Sequence, residues 1–132
     1  IPKTLEHALK PKVWLKSGAY IIIQPAEALV AIDVNTGKAV SKKKDVQKTF
    51  LKTNIEAAKE IAVQIRLRNL SGIIIIDFID MEDEESNQAL MDCLRAEFAK
   101  DSIQTKLIDM TKLGLIEVTR KKTRKPLYMQ IL

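Results

Sequence analysis

The stretch S-G-I-I-I-I-D-F-I-D, Ser71–Asp80, decides the fold of this chain. Its four consecutive isoleucines are β-branched and strongly favour a strand. The run lacks the alternation of a half-exposed strand, so it predicts a strand that is buried on both faces. Ser71 and Gly72 are expected to end a preceding helix. A helix that leads directly into a buried strand indicates an α/β protein.

The regions on both sides of this strand predict two helices and four further strands. An apolar stripe at three- and four-residue spacing predicts a helix from Asp45 to about Asn69. A second helix, Asp83 to Lys100, begins with acidic residues, as the helix dipole favours. The predicted strands, in chain order, are Ala19–Gln24, Ala28–Val34, Ile73–Ile76, Ile103–Ile108 and Leu115–Thr119. The order ββαβαββ predicts an α/β fold, a mixed sheet with helices packed on it.

The composition is that of one ordinary globular domain. The chain has 132 residues, of which 46% are hydrophobic and 30% charged. No apolar run has the length of a membrane span, and the start has no signal-peptide pattern. The single cysteine, Cys93, excludes an internal disulfide and favours a reducing, cytoplasmic location. Because Ile1 replaces an initiator methionine, we expect residues 1–132 to be one domain of a longer protein.

Charge is distributed unevenly along the chain, with a formal net charge of +5. Lys38–Lys48 holds five lysines and Arg120–Lys125 five basic residues, whereas Glu82–Asp101 holds seven acids. This pattern is compatible with a side that faces a polyanion and an opposite, solvated side. Ordinary solubilising charge explains it equally well.

Carboxylates follow two of the predicted strands. Asp33 ends one strand and Asp77 ends the isoleucine strand, with a crossover helix between them. If the strands are parallel and adjacent, the two carboxylates face each other and require either a proton or a cation between them. Mg²⁺ or Mn²⁺ is the natural occupant, and Asn35 is placed to orient water or phosphate. Alternatively, such aspartates simply cap turns. Asp80 is a third carboxylate but is expected to lie in the following turn.

Other chemistries have little support in the sequence. His7 is the only histidine and lies far along the chain from Asp33, which disfavours a nucleophilic triad. There is no GxxxxGK[ST] or GxGxxG phosphate loop. With one Trp, two Tyr and three Phe, a nucleic-acid partner is expected to be held through phosphates rather than bases.

Three long motifs resemble the ribonuclease E/G family. They are EALVAIDVNTGK (Glu27–Lys38), KTNIEAAKEIAVQIRLRNLSGIIIIDFIDM (Lys52–Met81) and LGLIEVTRKKTRKPL (Leu113–Leu127), and LKPKVWLKSGAYIII near the start also matches. The resemblance implies that residues 1–132 form the family's DNase I-like catalytic subdomain. It implies an endoribonuclease of RNA processing and decay, including rRNA processing, that cuts single-stranded, AU-rich RNA to 5′-phosphate and 3′-hydroxyl ends.

The resemblance also implies roles for residues and partners. Asp33 and Asp77 correspond to the family's Mg²⁺-binding aspartates, and Asn35 to the asparagine that acts beside them. An OB-fold domain, a 5′-end sensor and an RNase H-like portion would complete the parent enzyme. The chain ends before the family's cysteine-containing link, so zinc is not expected here. The candidate contacts to the RNA backbone are Lys38, Lys42, Lys43, Lys44, Lys112, Arg120 and Lys121.

Departures from the family pattern leave alternatives. The chain has Lys112 and Leu113 where the family commonly has Arg-Phe, and Glu84 and Glu85 where many members are basic. One alternative is a catalytically silent RNA-binding or scaffold module when the domain is isolated. Another is an actin-like phosphotransferase, although a second glycine-rich phosphate loop is missing.

Overall fold

The structure is a computed structural model, and it describes residues 10–37 and 46–122. The described residues form six strands and two helices. In chain order these are β1 Lys12–Trp14, β2 Tyr20–Pro25, β3 Val30–Asn35, α1 Val46–Arg68, β4 Gly72–Asp77, α2 Glu84–Phe98, β5 Thr105–Met110 and β6 Ile116–Arg120. The predicted order is confirmed, with the short strand β1 added at its start. Neither of these helices is long and apolar enough to cross a membrane.

The strands form one mixed sheet in the order β1-β2-β3-β4-β6-β5. β3 and β4 are parallel, and the other neighbouring strands are antiparallel. The parallel pair is joined through α1, as a crossover connection requires. The mixed α/β architecture predicted from the sequence is therefore confirmed.

Both helices pack on the same face of the sheet and form a single core with it. On β4 the core side chains are Ile74 and Ile76, both fully buried. They belong to the same buried core as Ala57 and Ala58 of α1, which have no exposed surface. Cys93 packs at the edge of this core, where burial raises the pKa of its thiol and keeps it protonated.

The opposite face of the sheet, which carries Ala31, Asp33, Ile73 and Asp77, is called the open face below. Neither helix covers it, and Ile73 is 48% exposed. The prediction that the isoleucine strand is buried on both faces is therefore wrong for this chain. The strand alternates between core and open face, with an apolar side chain on each.

Capping residues define the end of α1 and the start of α2. At the end of α1 the capping residue is Asn69 and not Gly72, which the sequence suggested. Asn69 adopts a left-handed conformation with φ of 50°. Its N–H donates to the carbonyl of Arg66, and the N–H of Leu70 donates to that of Ile65, which together end α1 in a Schellman motif. At the other helix, the carboxylate of Asp83 accepts from the N–H of Ser86 at 2.8 Å and caps α2.

Candidate active site

Asp33 and Asp77 lie side by side on the open face. β3 and β4 pair in parallel with Asp33 opposite Asp77, so their Cα atoms are separated by one strand spacing, about 4.8 Å. Both side chains are exposed. The two carboxylates therefore project from the same face, as their positions after two apolar runs predicted.

The electrostatics of this pair favour a cation. Although the side chain is exposed, partial desolvation by its neighbours raises the pKa of Asp33 above its ordinary value of 3.8, and repulsion from Asp77 raises it further. A hydrogen bond from the Val34 backbone lowers the pKa of Asp33 in part. A cation between the carboxylates would relieve this repulsion and favour both ionised forms.

The donor set fits a hard divalent cation. Among residues 10–37 and 46–122, no group of three or more His, Cys, Asp and Glu side chains is arranged to hold a metal. Within these residues, Asp33 and Asp77 offer two carboxylates side by side. Mg²⁺ commonly binds through one or two carboxylates and completes its shell with water and substrate phosphate, so the residues fit this ion.

Asn35 lies on the open face two residues beyond Asp33, and it shapes the turn that follows β3. Its Oδ1 accepts the N–H of Gly37 at 3.0 Å. Gly37 has a φ of 56°, and a Cβ at this position would lie 2.6 Å from the carbonyl oxygen of Gly18. Only glycine therefore allows this close approach between the turn and the β1–β2 loop.

A buried amide side chain, which the sequence patterns did not indicate, binds the backbone of the loop after Asp77. Asn54 of α1 is fully buried. Its Nδ2 donates to the carbonyl of Ile79 at 2.9 Å, and its Oδ1 accepts the N–H of Ile79 at 3.0 Å. This two-bond clamp fixes the backbone two residues beyond Asp77. The sequence feature that could have indicated Asn54 is its position on the apolar stripe of a predicted helix, four residues after Phe50.

Asn54→Ala is expected to lower the free energy of unfolding by about 2–4 kcal/mol. The change removes two hydrogen bonds and leaves both polar groups of Ile79 without their partner, at roughly 1–2 kcal/mol each. Urea denaturation measures the effect. Gln88→Ala, which removes an exposed amide on α2, is the matched control and should change stability by less than about 0.5 kcal/mol. Equal losses in the two variants would contradict the clamp.

The candidate RNA contacts are distributed over both ends of the sheet. Lys112 is exposed in the β5–β6 turn, at the end of the sheet where Asp77 lies, because Ile116 pairs with Ile76. Lys121 is exposed beyond β6, at the opposite end. Lys38, Lys42, Lys43 and Lys44 lie outside the described residues.

The expectation that Arg120 contacts RNA is wrong for this chain, because its side chain is buried. Its side chain is 2% exposed and forms an ion pair with Asp101 at 2.8 Å. Its Nη1 also donates to the Asn69 side chain and to the carbonyl of Leu70. Arg120 pairs with Gly72, five residues before Asp77 on β4, which is roughly 16 Å away along the strand. Although it begins a basic run, Arg120 therefore belongs to an internal network of hydrogen bonds and an ion pair.

Comparisons with known proteins identify the family of this chain. The model of the ribonuclease E/G family matches residues 1–123. Ribonuclease G of Escherichia coli (strain K12) is 45% identical over 124 residues, covering 94% of this chain and 25% of that protein. Ribonuclease E of Nostoc sp. (strain PCC 7120) is 43% identical over 128 residues, covering 97% of this chain and 18% of that protein. The chain thus spans a quarter or less of these relatives, and it belongs to the ribonuclease E/G family.

Proposed function

We propose that this chain is the catalytic subdomain of a Mg²⁺-dependent endoribonuclease that cleaves single-stranded RNA. The observation that carries the proposal is the pairing of Asp33 with Asp77 on the open face of the sheet. The relatives named ribonuclease G and ribonuclease E support a nuclease role for the longer protein. Asp33 and Asp77 are exposed on a face that neither described helix covers, which suits an extended RNA strand better than a small, enclosed substrate.

In this proposal Asp33 and Asp77 hold Mg²⁺ (or Mn²⁺), and the bound ion supplies polarisation of the scissile phosphate and neutralisation of its charge. Ionised Asp33 is required for this. Partial desolvation and the charge of Asp77 raise the pKa of Asp33, and the charge of a bound cation would favour the ionised form. Asn35 has its Oδ1 committed to Gly37, so it offers its Nδ2 amide to a phosphate oxygen or to the attacking water. Asn54 acts as a positioning residue through the loop after Asp77.

Water attacks the phosphorus in line and the 3′-oxygen leaves, which yields 5′-phosphate and 3′-hydroxyl ends. Among the predicted RNA contacts, Lys112 lies at the end of the sheet where Asp77 lies, and it is proposed to contact the RNA backbone there. Selection of AU-rich sites, sensing of a 5′-monophosphate and the role in RNA processing, including rRNA processing, belong to the longer protein with its OB-fold, sensor and RNase H-like portions.

The proposal is tested by metal removal. The full natural protein is incubated with a 5′-monophosphorylated single-stranded RNA in Mg²⁺, in EDTA, and in EDTA followed by excess Mg²⁺. Cleavage is expected only with Mg²⁺, with restoration on its return, and end mapping should find 5′-phosphates. Undiminished cutting after complete metal removal would contradict the proposal.

The same assay on the isolated 132-residue chain tests whether this chain is catalytic by itself or is only an RNA-binding or scaffold module. Mg²⁺-dependent cutting by the isolated chain would exclude a purely RNA-binding or scaffold role. Binding of RNA without cutting, while the full protein cuts, would show that the other portions are required for catalysis.

A further inference from the structure

An exposed cluster of two aromatic rings and a lysine lies at the β1–β2 edge of the open face. Trp14 is 61% exposed. Its ring centroid lies 5.0 Å from that of Tyr20, with the planes tilted by 59°. The Nζ of Lys12 lies 4.3 Å from the centroid of Trp14 and 4.1 Å from that of Tyr20. This arrangement is called the aromatic–lysine cluster below.

The strand register places this cluster beside the carboxylate pair. Lys12 is opposite Ile22, Ile22 is opposite Asp33, and Asp33 is opposite Asp77, so these residues form one row across four strands. The adjacent row consists of Trp14, Tyr20 and Asn35. Paired residues share a face of the sheet, so both rows project from the open face. The cluster therefore lies about two strand spacings, roughly 10 Å, from Asp33.

The chemistry of the cluster matches a nucleotide. An exposed indole offers a flat apolar surface on which any base can stack, and a lysine beside it attracts the phosphate. Cation–π contacts with Lys12 hold Trp14 and Tyr20 together and add positive charge at this edge. Tyr20 is also seated against the turn of Asn35, since its Cδ1 lies 3.5 Å from where a Cβ of Gly37 would be.

We propose that Trp14, Tyr20 and Lys12 form a base-stacking subsite that holds a nucleotide of the RNA close to the bond that is cut. The inference rests on the proposed function, because it takes RNA as the occupant of the open face. A base stacks on the exposed ring of Trp14, and Lys12 binds a backbone phosphate. The RNA strand then continues over Ile22 to the carboxylates of Asp33 and Asp77. The chain thus contacts bases as well as phosphates, although its aromatic residues are few.

The first test measures RNA affinity of the full natural protein in EDTA, so that no cleavage occurs. Trp14→Ala is expected to weaken binding of a single-stranded RNA about 10-fold, within the roughly 5- to 100-fold range of one lost base–aromatic stack. Trp14→Phe retains a flat ring and should recover most of the affinity. Val63→Ala, at an exposed apolar side chain on α1, is the matched control and should bind like the natural protein.

The second test locates the stacked base. A series of RNAs carries an abasic ribose at successive positions around the cleavage site. The natural protein is expected to lose about 10-fold in affinity at one position, and Trp14→Ala should show no further loss there. Lys12→Ala should reduce the slope of log affinity against log salt by about one.

Two results would overturn the subsite. One is an equal penalty for every abasic position in the natural protein and in Trp14→Ala. The other is a lowered thermal stability of Trp14→Ala with unchanged RNA affinity, which would mean that another part of the protein packs on the ring. Cleavage in Mg²⁺ is measured separately, so loss of the proposed nuclease function and loss of the subsite are distinguished.

Discussion

Replacing Asp33 or Asp77 by asparagine is expected to reduce RNA cleavage by at least about 1,000-fold. In the proposed function, each change removes one of the two carboxylates that would hold Mg²⁺, and a metal ion contributes several kcal/mol to stabilisation of the transition state. About 4 kcal/mol corresponds to a factor of roughly 1,000 in rate. Single-turnover cleavage of a single-stranded RNA by the full natural protein measures the effect.

Although Asp33→Asn should lose activity, it should not lose stability. Burial and repulsion from Asp77 raise the pKa of Asp33, so its ionised form is disfavoured in the folded protein. Asparagine removes that charge, and the melting temperature of the metal-free Asp33→Asn variant should be unchanged or higher. Loss of activity together with retained stability would therefore indicate a functional rather than a structural role.

Asp92→Asn is the matched control, because this exposed carboxylate lies on α2, on the opposite side of the sheet from the open face. It should cleave at nearly the natural rate. Cleavage by Asp33→Asn or Asp77→Asn at a rate close to that of the control would refute the metal pair.

Arg120→Ala is expected to lower the free energy of unfolding by about 3–5 kcal/mol, because it leaves the buried carboxylate of Asp101 without its ion-pair partner. The side chains of this pair are 2% and 3% exposed. The change also removes the hydrogen bonds from Arg120 to the Asn69 side chain and the Leu70 carbonyl. Urea or thermal denaturation monitored by circular dichroism measures the loss.

A surface ion pair provides the comparison. Lys100 pairs with Glu97 at 3.0 Å, but the lysine side chain is 62% exposed. Lys100→Ala should therefore change stability by less than about 1 kcal/mol. Similar losses for Lys100→Ala and Arg120→Ala would contradict a structural role for the buried pair.

The buried pair also predicts a pH dependence. Burial alone would raise the pKa of Asp101, but hydrogen bonds from Arg120, the Ile103 backbone and Thr105 lower it below its ordinary 3.8. The folded state therefore binds the proton less readily than the unfolded state. The stabilisation is complete well above pH 3.8 and is lost as the pH falls through the lower pKa of the folded protein. The stability difference between the natural protein and Asp101→Asn should narrow in that acidic range.

The sequence alone was sufficient for the element order and for the carboxylate pair. Apolar runs that end in aspartate locate Asp33 within β3 and Asp77 at the end of β4. A helix between the two strands requires them to be parallel if they are neighbours. The boundaries differ by one or two residues, at the starts and at the ends of the elements alike. β1 was missed because Lys12–Trp14 is short and has only one half-buried side chain.

Other features depend on contacts between distant parts of the chain. Asn54 and Ile79 are 25 residues apart, and Arg120 and Asp101 are 19 apart, so no local pattern distinguishes these side chains from solvated ones. The basic run at Arg120 is typical of a surface, yet its first residue fills an internal network. Trp14 and Tyr20 meet only because β1 pairs with β2.

Local physical chemistry determined which segments become helices and strands, except for the short strand β1, since β-branching and apolar periodicity act over a few residues. It also determined that an aspartate follows each of two apolar runs, at Asp33 and Asp77. Only the tertiary structure decided which face of the isoleucine strand the helices cover and which remains open. That choice depends on how whole elements pack, and it places Asp33, Asp77 and the aromatic–lysine cluster together on one surface.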